Sequence, residues 1–339
     1  MVKLTKKGLN GAKRHTLGSI LALTALCISP LTMAQDTSFP SKAMTILVPA
    51  TTGGMSDTIA RLVAEELKNE LGQPVIVENH PGASGMISSR NLSQSKPDGY
   101  TIGIGYTAFL TAPVIGNDGI QYDPIKDFSP VSQLSDSVGI IISKGDSPHK
   151  TWKELFDASK KEGKPLTVGI PGYGSSPHFY IEAISQETGL NMDLIPYRGD
   201  VPIMTDVIGG TLDLGVITPV AAKPMIENGR LRALAITNPQ RAPALPDVPT
   251  IGELGLPTLG GATTWIGVFA PANTPAPVVD KLSQVLQKMM QRPEIKERFI
   301  DSFGMTPVGN TAEEFKSMLE RDYTNWIKAR DTYNISVKK

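Results

Sequence analysis

A strand, a glycine-bearing turn and a helix follow one another over residues 44–71, and this unit constrains the fold more than any other stretch. Residues 44–49 are an apolar run of the length expected for a buried strand. Residues 59–71 carry apolar side chains at helical spacing with charged side chains between them, which predicts an amphipathic helix packed on a sheet. Gly53 and Gly54 let the backbone approach whatever lies above the strand end.

The turn before this helix is a candidate anion-binding site. Ser56 or Asp57 can cap the helix, whose first amides have no acceptor inside it and carry a partial positive charge. Such a helix start suits a carboxylate or a phosphate. The alternative is an ordinary turn without a ligand. Neither a P-loop nor the G-x-G-x-x-G spacing is present, so nucleotide binding is disfavoured.

The same alternation continues down the chain. A strand is predicted at 74–78, a helix at 86–95 and a third strand at 100–105, whereas residues 123–135 show no regular pattern. This rhythm predicts a parallel sheet with helices on both faces, in which ligands bind beyond the carboxyl ends of the strands. The residues predicted at those ends are Thr51, Thr52, Tyr106 and Thr107.

A second turn of the same design follows the strand predicted at 166–170. Residues 171–178 combine glycines and hydroxyls and lead into a helix that ends near Thr188. Two such turns, one per domain, would face each other across a cleft. The residues singled out in the second turn are Tyr173, Gly174, Ser175, Ser176 and His178.

Arg198 is the cationic residue of most interest because it follows a predicted strand beside Tyr197. A guanidinium there can hold a carboxylate with two hydrogen bonds, and the alternative is an ion pair with Asp200 or Asp206. Trp265 is interpreted either as a cleft residue or as part of the core.

Residues 1–34 predict a secretory signal. Five basic residues precede an apolar segment at 17–28, and small residues lead to cleavage after Ala34. We therefore expect a periplasmic protein. Cys27, the chain's one cysteine, lies within the signal, so disulfides and thiol chemistry are excluded from the mature chain. A lipid anchor on Cys27 is the less favoured alternative.

Charge and length limit the function classes further. The signal holds five of the 33 basic residues and none of the 33 acidic ones, which leaves a formal charge of −5 and disfavours nucleic-acid binding. About 300 remaining residues exceed what one core usually serves. We predict one domain from residues 35–136 and 262–339 and a second from residues 137–261.

Catalytic chemistry has little support in the sequence. The three histidines after the signal are scattered without H-E-x-x-H spacing, so we expect neither a metal site nor a cofactor. A hydrolase using Ser175 or Ser176 with His178 is the alternative, but the G-x-S-x-G elbow is missing. We expect a protein that is not an enzyme.

Motifs spread over nearly the whole mature chain carry a family resemblance. They are Ile46–Pro49, Gly53–Gly54 with Asp57, Leu71–Asn79, Pro97–Thr101, Pro196–Gly199, Gly229–Ala235, Leu245–Thr250 and Thr264–Trp265. Together and in this order they resemble the Bug family, the extracytoplasmic solute receptors of tripartite tricarboxylate transport systems.

The resemblance implies an α/β, two-domain, periplasmic-binding-protein-like fold whose ligand cleft lies between two parallel or mixed sheets flanked by helices. It implies a monomer that closes on a small carboxylate, either a di- or tricarboxylate or an aromatic acid, and delivers it to membrane components of the transporter. A ligand-sensing receptor without a direct transport role is the alternative.

The resemblance also implies which residues bind. The turns supply Thr51, Thr52, Gly53, Ser56 and Asp57, then Gly174, Ser175, Ser176 and His178, and the full predicted set adds Tyr106, Thr107, Tyr173, Tyr197, Arg198 and Thr218. The chain departs from the family pattern at His80 and Met55. Ile217 and Thr218 stand where several relatives carry an acid suited to an ammonium, so we expect a ligand whose far end is not a primary amine.

Overall fold

The computed structural model describes residues 39–116 and 121–336. The predicted signal, with its cleavage site after Ala34, lies outside these residues. These described residues belong to one compact unit. None of the described helices has both the length and the apolar composition needed to cross a membrane.

Strands and helices alternate over most of the described chain. The strands are β1 (Met44–Val48), β2 (Val75–Asn79), β3 (Thr101–Tyr106), β4 (Phe128–Ser137), β5 (Ile140–Lys144), β6 (Leu166–Ile170), β7 (Met192–Pro196), β8 (Leu214–Ile217), β9 (Leu231–Ile236), β10 (Thr264–Pro271) and β11 (Thr306–Pro307). The helices are α1 (Met55–Leu71), α2 (Met86–Ser93), α3 (Ala108–Val114), α4 (Trp152–Glu162), α5 (Ser176–Thr188), α6 (Asp200–Gly209), α7 (Pro219–Glu227), α8 (Ala276–Gln291), α9 (Pro293–Glu297) and α10 (Ala312–Thr332).

The first sheet has six strands in the order β11-β4-β10-β3-β1-β2. β1 runs parallel to β2 and β3, so their carboxyl ends meet at one edge. β10 runs antiparallel to β3, with Ile266 opposite Tyr106, and its amino end therefore lies at the same edge. This arrangement brings the turn before α1 and the start of α3 close to Thr264.

The second sheet has five strands in the order β7-β6-β8-β5-β9. β6 is parallel to both neighbours, β7 and β8, whereas β5 is antiparallel to β8 and β9. The carboxyl ends of the three parallel strands lead into α5, α6 and α7. The starts of these three helices therefore share one edge. Mixed sheets flanked by helices confirm the predicted fold class.

The chain crosses between the sheets twice, and the two crossings are hydrogen-bonded to each other. The Gly139 amide donates to Thr237 Oγ1 over 3.0 Å, and Asn238 Nδ2 donates to the Ser137 carbonyl over 2.7 Å. These crossings lie near the predicted domain boundaries. The division into 35–136 with 262–339 and 137–261 stays a prediction.

Helix α10 packs against elements of both sheets. Its Trp326 is fully buried, with its ring 5.1 Å from that of Phe179 on α5. Its Phe315 lies 5.5 Å from Trp265 and 5.1 Å from Phe269, both on β10. One helix thus joins the aromatic core of the first sheet to a helix that flanks the second.

Candidate functional site

A cavity of about 330 Å³ lies where the carboxyl edges of the two sheets meet. The predicted site residues that line it are Ser56, Tyr106, Thr107, Ser175, Ser176 and Thr218. Because these residues come from both sheets, the structure brings together the two turns that the sequence placed one in each domain.

The start of α1 supplies backbone donors to this cavity. Gly54, rather than Ser56 or Asp57, occupies the N-cap position. Met55 and Ser56 follow it in the first turn and line the cavity. Their amides have no acceptor within the helix, since the first turn of an α-helix leaves its N–H groups unpaired. The helix dipole adds a partial positive charge there.

Asp57 holds the turn before α1 in shape and is not among the residues lining the cavity. Its Oδ2 accepts hydrogen bonds from the Gly53 amide at 2.9 Å and Arg61 Nε at 3.0 Å. Its Oδ1 accepts from Arg61 Nη2 and Asn79 Nδ2, each at 3.0 Å. Asn79 also donates to the Ala50 carbonyl. The Arg61 hydrogen bonds, with those from Gly53 and Asn79, lower the pKa of Asp57 from 3.8 to about 2.

Replacing Asp57 by alanine should lower the free energy of unfolding by roughly 1–3 kcal/mol at pH 7, because the buried Asp57 carboxylate accepts hydrogen bonds from Gly53, Asn79 and Arg61 that are then lost. Arg61 is half exposed, so the ion pair itself contributes little. Because the folded pKa of Asp57 is depressed, its contribution is complete above pH 3.8 and is lost as the pH falls towards 2. Urea denaturation of both proteins between pH 7 and pH 3 measures this.

The difference between wild type and Asp57→Ala should therefore shrink as the pH falls. Glu65→Ala is the matched control, since Glu65 is an exposed acid on the same helix and should change stability by under about 0.5 kcal/mol. A gap between wild type and Asp57→Ala that stays constant down to pH 3 would contradict the role given to the Asp57 carboxylate.

The start of α5 mirrors that of α1. Ser175 is the N-cap residue, and its hydroxyl donates to the Gly172 carbonyl over 2.6 Å. Ser176, the first helical residue, is buried and lines the cavity, with its Oγ 3.4 Å from Thr264 Oγ1. His178 is fully buried and its Nδ1 accepts from the Gly174 amide over 3.2 Å. The Ser175 hydroxyl and His178 Nδ1 thus bond to the backbone of the turn, which is not a nucleophile and base arrangement.

The turn before α5 also contacts the first sheet's helix α3 directly. The Gly174 carbonyl accepts from Thr111 Oγ1 over 2.5 Å. Gly174 has φ +80°, and a Cβ there would lie 2.9 Å from Ile115 Cδ1. Only glycine combines this conformation with so close an approach. The position of Ser176 relative to α3 is therefore fixed by packing two residues away.

The cavity lining is poor in charged side chains. Among the residues that the structure describes, no lysine, arginine or histidine lines it, and Asp200 is its one acidic residue. Tyr106 is neutral there, because burial raises its pKa to about 12. A ligand carboxylate in this cavity would thus be held by amides and hydroxyls instead of a cation.

The other predicted site residues are not among those that line the cavity. Thr51, Thr52 and Gly53 are exposed in the turn before α1, and Tyr173, Gly174, His178, Tyr197 and Arg198 are not in the cavity lining. The Tyr197 hydroxyl donates to Asp206 over 2.5 Å. Arg198 is exposed and makes no ion pair with Asp200 or Asp206. The ion-pair alternative for Arg198 is therefore not found, and its role in ligand binding stays a prediction.

Sequence reasoning missed several lining residues. Besides Met55 and Asp200 they include Ser137, Ile217, Thr264, Ile266 and Met305, and Trp265 is both a lining residue and a core residue. Thr264 was named only within the family motif Thr264–Trp265, without a role at the site. Asp200 directly follows the motif Pro196–Gly199 at the end of a predicted strand, but it was considered only as an ion-pair partner of Arg198.

A family profile described as "Tripartite tricarboxylate transporter family receptor" matches residues 59–330. A protein of Agrobacterium vitis, described as the UPF0065 protein in the TAR-I ttuE-ttuC' intergenic region, is 36% identical over 306 residues, which is 88% of this chain and 87% of that protein. The profile match includes α5, α6 and α7, whose starts lie at the cavity, whereas Met55 and Ser56 precede it.

Solved structures show the same architecture. The periplasmic binding protein BugD is 32% identical with a TM-score of 0.74, covering 88% of this chain and 99% of BugD. An R. palustris protein solved with adipate is 28% identical with a TM-score of 0.78, covering 88% of this chain and 99% of its own. MatC from Rhodopseudomonas palustris, solved with bound malate, is 28% identical with a TM-score of 0.73, over 86% and 99%.

Proposed function

The chain belongs to the family of tripartite tricarboxylate transporter receptors, which are solute-binding proteins and not enzymes, and from this premise we propose that it captures a small carboxylate in the periplasm. It then delivers that ligand to the membrane components of a tripartite tricarboxylate-type transporter. Relatives solved with adipate and with malate support a carboxylate ligand.

The observation that carries this proposal is the pair of helix starts at the cavity. Ser56 of α1 and Ser176 of α5 both line it, and each lies in the first turn of its helix. Their amides are directed donors, and both helix dipoles place partial positive charge at this cavity. A carboxylate bound between them satisfies donors that have no partner within either helix.

Capture proceeds by closure of the two sheets on the ligand. Ser56 belongs to a helix that flanks the first sheet, and Ser176 belongs to a helix that flanks the second. A ligand can therefore contact both amides only when the two turns lie close to each other. A ligand that contacts both turns shifts the population towards this arrangement.

A thermal-shift screen of the protein without residues 1–34, followed by calorimetric titration, tests the proposal. A carboxylate present at 100 times its dissociation constant should add about 2.7 kcal/mol to the unfolding free energy. Uncharged amides of the same acids are the control and should have no effect. Failure of every carboxylate, whether mono-, di-, tri- or aromatic, to shift the unfolding transition would overturn the receptor proposal.

Uptake separates the transport role from sensing. Deletion of the gene should abolish uptake of the labelled ligand identified by the screen, and plasmid-borne wild type should restore it. Undiminished uptake in the deletion strain, with binding intact in vitro, would favour the sensing alternative.

A further inference from the structure

Asp200 gives the cavity a second polar end that accepts hydrogen bonds instead of donating them. It is the first residue of α6 and lines the cavity beside Thr218, the N-cap residue of α7. Its Oδ2 accepts from the Thr218 amide over 3.1 Å and from Thr218 Oγ1 over 2.5 Å. This pair spans the carboxyl end of β6, because β7 and β8 flank β6 in the sheet.

The pair leaves one carboxylate oxygen available. Both donors from Thr218 go to Oδ2, and within residues 39–116 and 121–336 nothing donates to Oδ1. Hydrogen bonds donated to Oδ2 favour the ionised form of the carboxylate. Burial raises the pKa of Asp200 and the Thr218 donors oppose that rise. The amide at the start of α7 is already used by Asp200 and does not compete for a ligand.

Apolar side chains also line the cavity. They are Val138, Val216, Ile217 and Trp265. A ligand that fits this wall has a carboxylate at the α1 and α5 end, an apolar middle, and at Asp200 a group able to donate. A second carboxylate at Asp200 would face a like charge in a partly dry site, which is unfavourable.

We propose that Asp200 selects a monocarboxylate that carries a hydrogen-bond donor, an ammonium or a hydroxyl, at its far end, and disfavours the matching dicarboxylate. This inference rests on the proposed function and names the ligand class of the same cavity. From the sequence we expected a ligand whose far end is not a primary amine, because Ile217 and Thr218 stand where several relatives carry an acid. The structure places the acid on the neighbouring helix, in contact with Thr218.

Matched ligand series measure this selection. Calorimetric titration of the wild-type protein uses three series of ligands, built on butanoate, hexanoate and benzoate. Each series has four members: the plain acid, the terminal hydroxy acid, the terminal amino acid and the diacid. In the series that fits, the donor-bearing acids should bind about tenfold or more tightly than the diacid, the gain expected of a hydrogen bond to a charged group.

Asp200→Asn supplies the second measurement. Asparagine keeps an acceptor for Thr218 but removes the charge, so the preference for the amino acid over the diacid should fall by about tenfold. Asp193→Asn is the matched control: Asp193 is an exposed acid on β7, outside the cavity lining, and the same charge change there should leave the preference unaltered.

Each outcome decides a different point. Diacids that bind wild type as tightly as the donor-bearing acids, with a ratio unmoved by Asp200→Asn, overturn the selection and leave the receptor function standing. The wild-type ratios decide this even where the variant folds poorly. Absence of binding by every carboxylate in this set and in the wider screen overturns both proposals.

Discussion

Replacing Ser176 by proline should weaken carboxylate binding by about tenfold to 100-fold while the protein stays folded. The substitution removes the Ser176 amide hydrogen and puts a ring carbon in its place, and a hydrogen bond to a charged ligand group is worth roughly 1.5–3 kcal/mol. Ser176 is the first residue of α5, where proline costs a helix little because that amide has no partner inside the helix. Ser175 has φ −75° and ψ 158°, the extended conformation that a residue before proline prefers.

Ser176→Ala is the matched control for this prediction. It removes only the hydroxyl, whose nearest polar neighbour, Thr264 Oγ1, is at a long 3.4 Å. We expect its affinity to stay within about threefold of wild type, since a hydrogen bond that long contributes little. Calorimetry measures binding and circular dichroism verifies folding. Equal losses in both variants would assign the contact to the hydroxyl, and no loss in either would remove Ser176 from the binding site.

Replacing Trp326 by alanine should lower the free energy of unfolding by about 3–5 kcal/mol, the usual cost of deleting a buried tryptophan. Trp326 is fully buried, and its ring lies 5.1 Å from Phe179 and 5.9 Å from Tyr180. Loss of the indole opens a cavity where α10 meets α5. Guanidinium denaturation followed by far-ultraviolet circular dichroism gives the change directly.

Two further variants make the Trp326 result specific. Trp326→Phe should cost less, because it keeps most of the ring contact and removes an indole N–H that has no acceptor among the described residues. Lys328→Ala, at an exposed position of the same helix, should stay within about 0.5 kcal/mol of wild type. A loss below 1 kcal/mol for Trp326→Ala would contradict the packing of α10 against α5.

Local pattern was enough to predict the units that build the site. The helical spacing after the first turn is found in α1, and the glycine- and hydroxyl-bearing turn at 171–178 leads into α5 as expected. Both turns reach the cavity through Ser56 and Ser176. Periodicity and turn chemistry are properties of neighbouring residues, which a sequence displays directly.

Pairings between distant residues could not be predicted in the same way. β4 was expected to be irregular because Ser132, Gln133 and Ser135 interrupt its apolar residues, yet it is paired on both sides and its polar side chains are buried. Asp57 was predicted to bind the ligand, and the hydrogen bond that it accepts from Asn79, twenty-two residues away, could not be read from the sequence. Asp200 gained its significance only from contact with Thr218, eighteen residues away.

The hydrogen bond between Thr111 and Gly174 bears on the conformational entropy that a ligand's arrival costs. Gly174 is held against α3 by this bond and by its close approach to Ile115, and Ser176 lies two residues away. The Ser176 amide is therefore ordered by folding, and binding does not have to order it. For a molecule small enough for about 330 Å³, with few atoms to offer, a donor that is already in place reduces the cost of binding.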